Sequence, residues 1–508
     1  MPDLKPIHML RAAAIAAVVA AAPVLAAAPA LAQSGKTLTI ALPVNINTLD
    51  PHMSASFGSD LSLLSHIYPS LVLRGPDLKL QPALAKSWTL VNDTTWKFDL
   101  VAGAKFQNGE ALDAKAVKWN LDRVRDPKVN ARIKSWFDLV KDVRVVDDTT
   151  VEVETSAPFP AFADQLSMFF LLPPAWTATH APATETLSGG RYQITENVPG
   201  DHITLAANPT YWGEKPAFDK VVFRTIPEPS SRIAALLAGE VDLVTGIPAS
   251  ELDRIKASPN ATGGSVPSTR NVFIKFNTQK PPLDNKLVRQ AMNYAVDKSA
   301  IVDSIFNGLA VISPCEILSP SYFGFNPDLK PYPYDPTKAK ALLQQSGVNL
   351  SQTIEMDVPV ATYVQGQEVA QVVAAQFGEI GLNVRINEMD FGAYMNKYLR
   401  SRTLAQTSLL SHGWPTLDAD GQLTLLAPGN QYAYWDNAEF GKWLEQGRST
   451  LDKAARQEAY KKATAVMCEE APVLFLYTQP TTYGVSKRVV WQARGDDWVR
   501  TFDIKPAQ

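Results

Sequence analysis

After its first 32 residues the chain runs for 476 more without a flexible linker, a low-complexity tract or a repeat of solenoid period. That continuity limits what it can fold into. A chain of this length exceeds a single hydrophobic core and divides, on the usual scale, into about three domains. With no linkers between them, those domains must be lobes joined by short crossovers, the chain passing between them more than once.

Local patterning indicates how the lobes are built. Ser87 to Leu100 (SWTLVNDTTWKFDL) reads as two strands around Asn92-Asp93, and Val143 to Thr155 (VRVVDDTTVEVET) repeats the form around Asp147-Asp148. Arg191 to Ala207 is a third hairpin, with Pro199-Gly200 at its turn. The region 79–188 is therefore predicted to be mostly antiparallel strand, with a helix over 114–124. Elsewhere helices lead into strands. A serine-capped helix over 230–238 stops at Gly239 before a strand over 241–244, and a helix over 362–379 stops near Gly381 before a strand over 382–386. Further helices are expected over 338–345 and 454–467, a strand over 37–42 and a short apolar run over 502–504. Units of this kind build α/β domains of mixed sheets flanked by helices.

The start of the chain reads as an export signal. Lys5 and Arg11 precede an apolar run from Ala12 to Ala28, broken by Pro23, and Ala30-Leu31-Ala32 offers a small-x-small exit. A membrane-spanning helix needs about 20 apolar residues without a breaker, so cleavage after Ala32 is expected, releasing a soluble protein into the periplasm. A lipoprotein needs a cysteine at that point, and the first cysteine is Cys315. Cleavage would leave 46 basic and 50 acidic residues, a near-neutral balance that does not suit a nucleic-acid partner. The two cysteines, Cys315 and Cys468, either form one long-range bridge, which an oxidising compartment favours, or stay as buried thiols.

Signatures of catalysis are absent from the sequence: there is no G-x-S-x-G elbow, phosphate loop, G-x-G-x-x-G or H-E-x-x-H. Neither His52, His66, His180, His202 nor His412 has a partner at metal-ligand spacing. No catalytic residue, metal or cofactor is expected. Aromatic residues near loops are the notable feature: Trp414 follows Ser411-His412-Gly413, with Tyr432, Tyr434 and Trp435 soon after. Such rings either pack a core or cover a ligand at a cleft.

Read in order, the segments resemble the peptide-type (family 5) solute-binding proteins of bacterial ABC importers, a group that includes oligopeptide, dipeptide and nickel receptors. Thr48 to Val72 (TLDPHMSASFGSDLSLLSHIYPSLV) is similar to the family's opening. LQPALAKSWTL from Leu80, WKFDLVAGAKFQNGEALDAKAVKWNLDRV, Asn208 to Trp212 (NPTYW), RIAALLAGEVDL, Phe276 to Gly308 (FNTQKPPLDNKLVRQAMNYAVDKSAIVDSIFNG), Tyr334-Asp335-Pro336 and Ala471 to Tyr477 (APVLFLY) follow in the family's order. The resemblance implies an α/β periplasmic-binding-protein fold of two lobes and three domains with the ligand cleft between the lobes. The main domain would comprise 33–78, 189–269 and 481–508, the strand-rich domain 79–188 and the second lobe 270–480, with hinges near Arg270–Val272 and Tyr477–Thr481. It also implies a monomeric receptor that captures a peptide-like small solute and hands it to membrane permease subunits.

In the family's peptide receptors two segments line the cleft, matched here by Ser54, Ala55, Ser56 and Phe57 and by Trp414 to Leu417. Oligopeptide receptors hold the peptide amine with an aspartate where this chain has Leu417, with Asp418 and Asp420 just beyond. They carry an acidic residue where this chain has Ala55, and Arg402 matches an arginine twelve before the tryptophan. A "GTGPY" element appears as Ser188-Gly189-Gly190-Arg191-Tyr192. The expected ligand-binding set is therefore Ser54, Ala55, Ser56, Phe57, Arg402, Ser411, His412, Trp414, Leu417, Asp418, Tyr432 and Tyr477. The departures keep a second class of solute open, a sugar, opine or amino-acid conjugate; a secreted hydrolase is the alternative outside binding.

Overall fold

The computed structural model describes residues 36–54, 56–360 and 362–507, with Phe57 described in its backbone alone; the expected signal at 1–32 and Ala55 lie outside the described residues. Its largest sheet has eleven strands. In spatial order ten of them are Asn383–Met389, Thr353–Pro359, Thr407–His412, Ala261–Phe276, Val473–Ser486, Leu243–Thr245, Thr37–Leu42, Lys220–Thr225, His202–Ala207 and Tyr192–Val198, and the short Val311–Ile312 adds to Val473–Ser486. Parallel and antiparallel pairs are mixed, Thr37–Leu42 running parallel to both its neighbours. This is a two-lobed α/β architecture of sheets flanked by helices.

Two long strands at the centre determine the layout. Ala261–Phe276 and Val473–Ser486 pair antiparallel along most of their lengths, but the register breaks between Pro267 and Asn271. On one side of the break Val272, Ile274 and Phe276 join Leu474 and Leu476 in one buried core. On the other side Ala261 and Val485 belong to separate cores built on Ile233 and Ile255 and on Leu38 and Ile40. At the break the outer strand turns to another partner, Thr269 N–H donating to the Gly495 carbonyl at 2.7 Å. One pair of strands thus serves different cores at its two ends.

The predicted hairpins form a separate four-stranded sheet, ordered Ala85–Asn92, Thr95–Leu100, Thr150–Thr155, Val140–Asp147. Phe98, Val151 and Val153 are buried with Val117 and Leu121 of the helix Ala114–Arg125. Asp113 caps that helix through the Ala116 N–H at 3.0 Å. Buried Asn120 then accepts from the Leu172 N–H at 2.8 Å and donates to the Leu172 carbonyl at 2.9 Å, so its amide is satisfied where a core would otherwise reject it.

Helix starts follow short polar side chains. Asn285, Asp297, Asp335, Asn437 and Asp452 each accept a backbone N–H in the first turn of the helix they precede. Two expected starts differ. The helix at 230 begins as Pro229–Leu237, with proline rather than a serine cap at its entry, because proline's fixed φ and missing N–H suit the first helical position. The helix expected from 362 begins at Gly366, since Gln365 sits at φ 53 and ends a turn instead. Among the described residues no helix is long and apolar enough to cross a membrane.

Cys315 and Cys468 are joined, tying the end of the helix Lys453–Glu470 to a loop 153 residues earlier. Closing so long a loop removes entropy from the unfolded chain. The Cys315→Ala/Cys468→Ala variant is expected to lose about 2–5 kcal/mol of stability, measured as a lower denaturation midpoint that reductant no longer changes.

Candidate functional site

The first expected segment follows a rigid anchor. Asp50 pairs with Arg123 at 2.7 Å and accepts the His52 N–H at 2.9 Å. Arg123 Nη1 donates to His52 Nδ1 at 2.7 Å while His52 Nε2 donates to the Phe170 carbonyl at 3.0 Å. Downstream, Ser54 Oγ donates to Asp60 at 2.8 Å and accepts the Ser56 N–H at 3.0 Å. Ser56 and Ser59 hydroxyls share a 2.6 Å bond. The two serines therefore shape the loop by binding each other's neighbourhood and Asp60, whose carboxyl is raised by burial. Phe57 opens a short π-helix, Phe57–Leu61.

Strand Thr407–His412 carries the second segment, Ser411 and His412 pairing with Val272 and Asn271 at the register break. Ser411 Oγ donates to Gln479 at 3.3 Å. His412 donates through Nδ1 to Gln422 at 2.6 Å, and burial lowers its pKa to about 4, so it is neutral at pH 7. A Cβ on Gly413 would lie 3.1 Å from the Thr269 carbonyl oxygen and 3.3 Å from Arg270 atoms, which leaves little room for a side chain. Trp414 N–H donates to Tyr322 Oη at 2.6 Å. The indole lies parallel to His412 at 6.2 Å and meets Trp136, from the hairpin-rich region, edge-on at 5.6 Å. Leu417 closes the turn in the left-handed region, φ 53, its N–H donating to the Trp414 carbonyl at 3.1 Å.

Several expected residues lie elsewhere. Asp418 is buried and accepts two bonds from Arg456 Nη2, both 2.9 Å, and one from Tyr460 Oη at 3.3 Å. Burial raises its carboxyl to about 6 against the opposing pull of Arg456. Asp420 is held by Arg448 Nε at 2.8 Å. Tyr477 is packed in a core against Phe306, ring centroids 4.7 Å apart. Arg402 is exposed at φ 52 and donates to the Ala433 carbonyl at 3.2 Å. Tyr432 offers its carbonyl to Lys275 Nζ. Arg402 and Tyr432 thus belong to an aromatic group around Lys275, with Tyr398 and Tyr434, where burial lowers the lysine to about 7. Asp418 adjoins the Trp414 turn but turns its carboxylate to Arg456, while Arg402 and Tyr432 gather around Lys275.

What it does bring there is two arginines and their partners. Arg270, at the register break, donates through Nε to Asp497 at 2.7 Å and through Nη1 to the Ser411 carbonyl at 3.3 Å. Thr481 Oγ1 donates to the other Asp497 oxygen at 2.8 Å. The phenols of Tyr322 and Tyr363 neighbour this guanidinium, whose side chain keeps 26% of its surface exposed. Arg74, buried on strand Val72–Arg74, donates through Nε to the Pro415 carbonyl at 2.8 Å and through Nη2 to the Thr416 carbonyl. Nη2 also pairs with Asp164 at 2.5 Å. It clamps the Trp414–Leu417 turn against residues from the chain's first third. Sequence patterning gave Arg270 only as a hinge position and no signal for Arg74 or Asp497, since each acts through partners hundreds of residues away.

Strands shared by two lobes, with aromatic and arginine side chains meeting from both at the crossing, define an interlobe solute-binding protein. The chain belongs to the bacterial extracellular solute-binding proteins of family 5, whose middle-region model matches residues 79–434. It is 28% identical over 473 residues to the glutathione-binding protein GsiB of Pectobacterium atrosepticum, covering 90% of this chain and 91% of that one. It is 30% identical over 378 residues to the nickel-binding periplasmic protein of Escherichia coli, covering 69% and 70%. Its fold matches that of the periplasmic binding protein DppA from Helicobacter pylori in complex with the peptide STSA, with TM-score 0.84, 23% identity and coverage of 93% and 98%. Members of the family are receptors that bind small solutes and deliver them to ABC importers.

Proposed function

We propose that this receptor, freed into the periplasm by cleavage after Ala32, closes as a monomer on a peptide-like solute and holds it by a carboxylate at Arg270. The part-buried guanidinium of Arg270 at the register break carries the reading. Its Nη2 makes no hydrogen bond among the described residues, whereas the nearby carboxylates are engaged: Asp497 by Arg270 and Thr481, Asp418 by Arg456, Asp420 by Arg448, Asp60 by Ser54. The position matched to the amine-holding aspartate of oligopeptide receptors is Leu417. A site with a spare guanidinium edge and no spare carboxylate selects an anionic end, because arginine presents paired donors to a carboxylate. Glutathione, the solute in one relative's name, is a tripeptide with two carboxylates.

The register break between Pro267 and Asn271 supports a hinge there and opposite it near Thr478–Pro480, dividing 33–78, 189–269 and 481–508 from 270–480, with 79–188 as the strand-rich domain. A solute touching both sides only when the lobes are shut shifts the open–closed equilibrium toward closure.

Mass spectrometry of whatever co-purifies identifies the natural solute. Calorimetric titration with short peptides, amine-acetylated or carboxyl-amidated, tests the recognition. Acetylation is expected to be tolerated and amidation to weaken binding at least tenfold. Arg270→Gln is expected to cost about 1.5–3 kcal/mol, the range for a hydrogen bond to a charged group. Equal binding of amidated and free peptides would sink the carboxylate assignment while leaving the receptor function intact.

A further inference from the structure

A second candidate site lies within the part of the protein that holds both ends of the described chain. It is a cavity of about 50 Å³ lined by Arg191, Arg500, Phe502, Tyr211, Gly190 and others from the loop after the helix Ser62–Ile67. We infer that it is a binding site for one small inorganic anion, of the size of phosphate, sulfate or chloride, held between Arg191 and Arg500. This does not rest on the identity of the solute.

Charge pairing is the central observation. Arg500 is 3% exposed, yet it makes no ion pair among the described residues. Its Nη1 donates to the Arg74 carbonyl at 2.7 Å, and its buried Nε has no hydrogen-bond partner. The two carboxylates beside it in sequence are both taken by Arg494, Asp496 at 2.7 Å and Asp503 at 2.9 Å. Arg74 is likewise engaged with Asp164. Arg191, the residue standing where the family motif has proline, has no carboxylate partner among the described residues either. Its guanidinium carbon lies 4.5 Å from the centre of the Phe502 ring, and that of Arg500 lies 5.7 Å from the same ring.

Two guanidiniums thus border one cavity, and neither makes a direct ion pair among the described residues. A buried guanidinium without a direct ion pair is costly: burial, reinforced by Arg494 and opposed by Asp496 and Asp503, lowers the pKa of Arg500 to about 9. Ring faces offset part of that cost through cation–π contact, as the Trp498 face does at 4.2 Å from Arg500, but they do not supply charge. Gly190 lets the chain approach closely here: a Cβ on it would lie 2.5 Å from the His66 carbonyl oxygen. The cavity has room for a single small anion.

The test uses the mature protein dialysed into gluconate, too bulky to enter, at constant ionic strength. Chloride, sulfate and phosphate are titrated in separately while the unfolding temperature is followed. At least one is expected to raise it saturably by a few degrees, as ligand linkage requires. Arg191→Met, a change at a partly exposed side chain, is expected to fold and to lose the saturable rise. Arg500→Met is expected to lose it too. A rise that is linear and equal in parent and Arg191→Met, an effect of salt on the solvent alone, would overturn the proposal. So would an Arg191→Met protein that keeps a saturable response.

Discussion

Replacing Asp418 with alanine is expected to lower stability by about 3–5 kcal/mol, the cost of stranding one partner of a buried ion pair, while the folded protein keeps its affinity for solute. The carboxylate is 3% exposed and meets Arg456, whose side chain is 8% exposed and lies over the Phe323 ring at 4.7 Å. Asp418 also accepts the Asp420 N–H at 3.0 Å, capping the short helix Ala419–Leu423. Alanine removes charge and cap together; asparagine keeps an acceptor for the cap, so Asp418→Asn should fall between. The denaturant midpoint, read by tryptophan fluorescence, measures the loss, and titration of the folded protein measures the affinity. Unchanged stability with lost affinity would instead return Asp418 to the solute.

Protonation of His52 and His66 is expected to destabilise the fold between pH 6.5 and 4. His52 and His66 are wholly buried and neutral, each with its pKa lowered by burial to about 4. Their partners require the neutral ring. His52 Nδ1 accepts from Arg123, so a proton there would face a guanidinium. His66 Nδ1 donates to the Ser62 carbonyl at 2.9 Å and Nε2 accepts the Thr501 N–H at 3.0 Å, leaving no acceptor for a second proton. The unfolded chain takes up these protons near pH 6.5 and the folded chain only near 4. Within that window the unfolded state binds more protons, and stability falls as pH falls. Each shift is worth about 3 kcal/mol when fully developed. Asp60, Asp418, Asp503 and Glu316, raised by burial, act in the opposite direction, so the comparison is with His66→Gln: relative to the parent, the variant's urea midpoints should lose less, or gain more, from pH 7 to 4. A His66→Gln variant whose midpoint changes with pH as the parent's does would refute the assignment.

Much of the fold was legible because it is local. Alternating Val143–Thr155 and Ser87–Leu100 form hairpins whatever surrounds them, since alternation and a two-residue polar turn specify register between adjacent strands. Asp335 before Pro336 starts a helix for equally local reasons. The receptor class was legible through motifs spread along the chain. The turn at Trp414 was legible because its flanking glycine is contiguous with it, whereas the pairing of Asp418 with Arg456 was not. Adjacent residues in a turn can face opposite ways: Leu417 at φ 53 reverses the chain, and the next side chain points to Arg456.

Sequence alone therefore determined the hairpins, the capped helices and a solute-binding architecture of lobes crossed more than once. Only the tertiary structure decided which charges are spent on the fold and which remain for a ligand. Arg74, Arg270, Arg456, Arg494 and Arg500 are alike as letters. Their roles differ because a guanidinium is committed or available according to the carboxylate that folding places beside it: 90 residues away for Arg74, 227 for Arg270 and, for Arg500, held instead by Arg494.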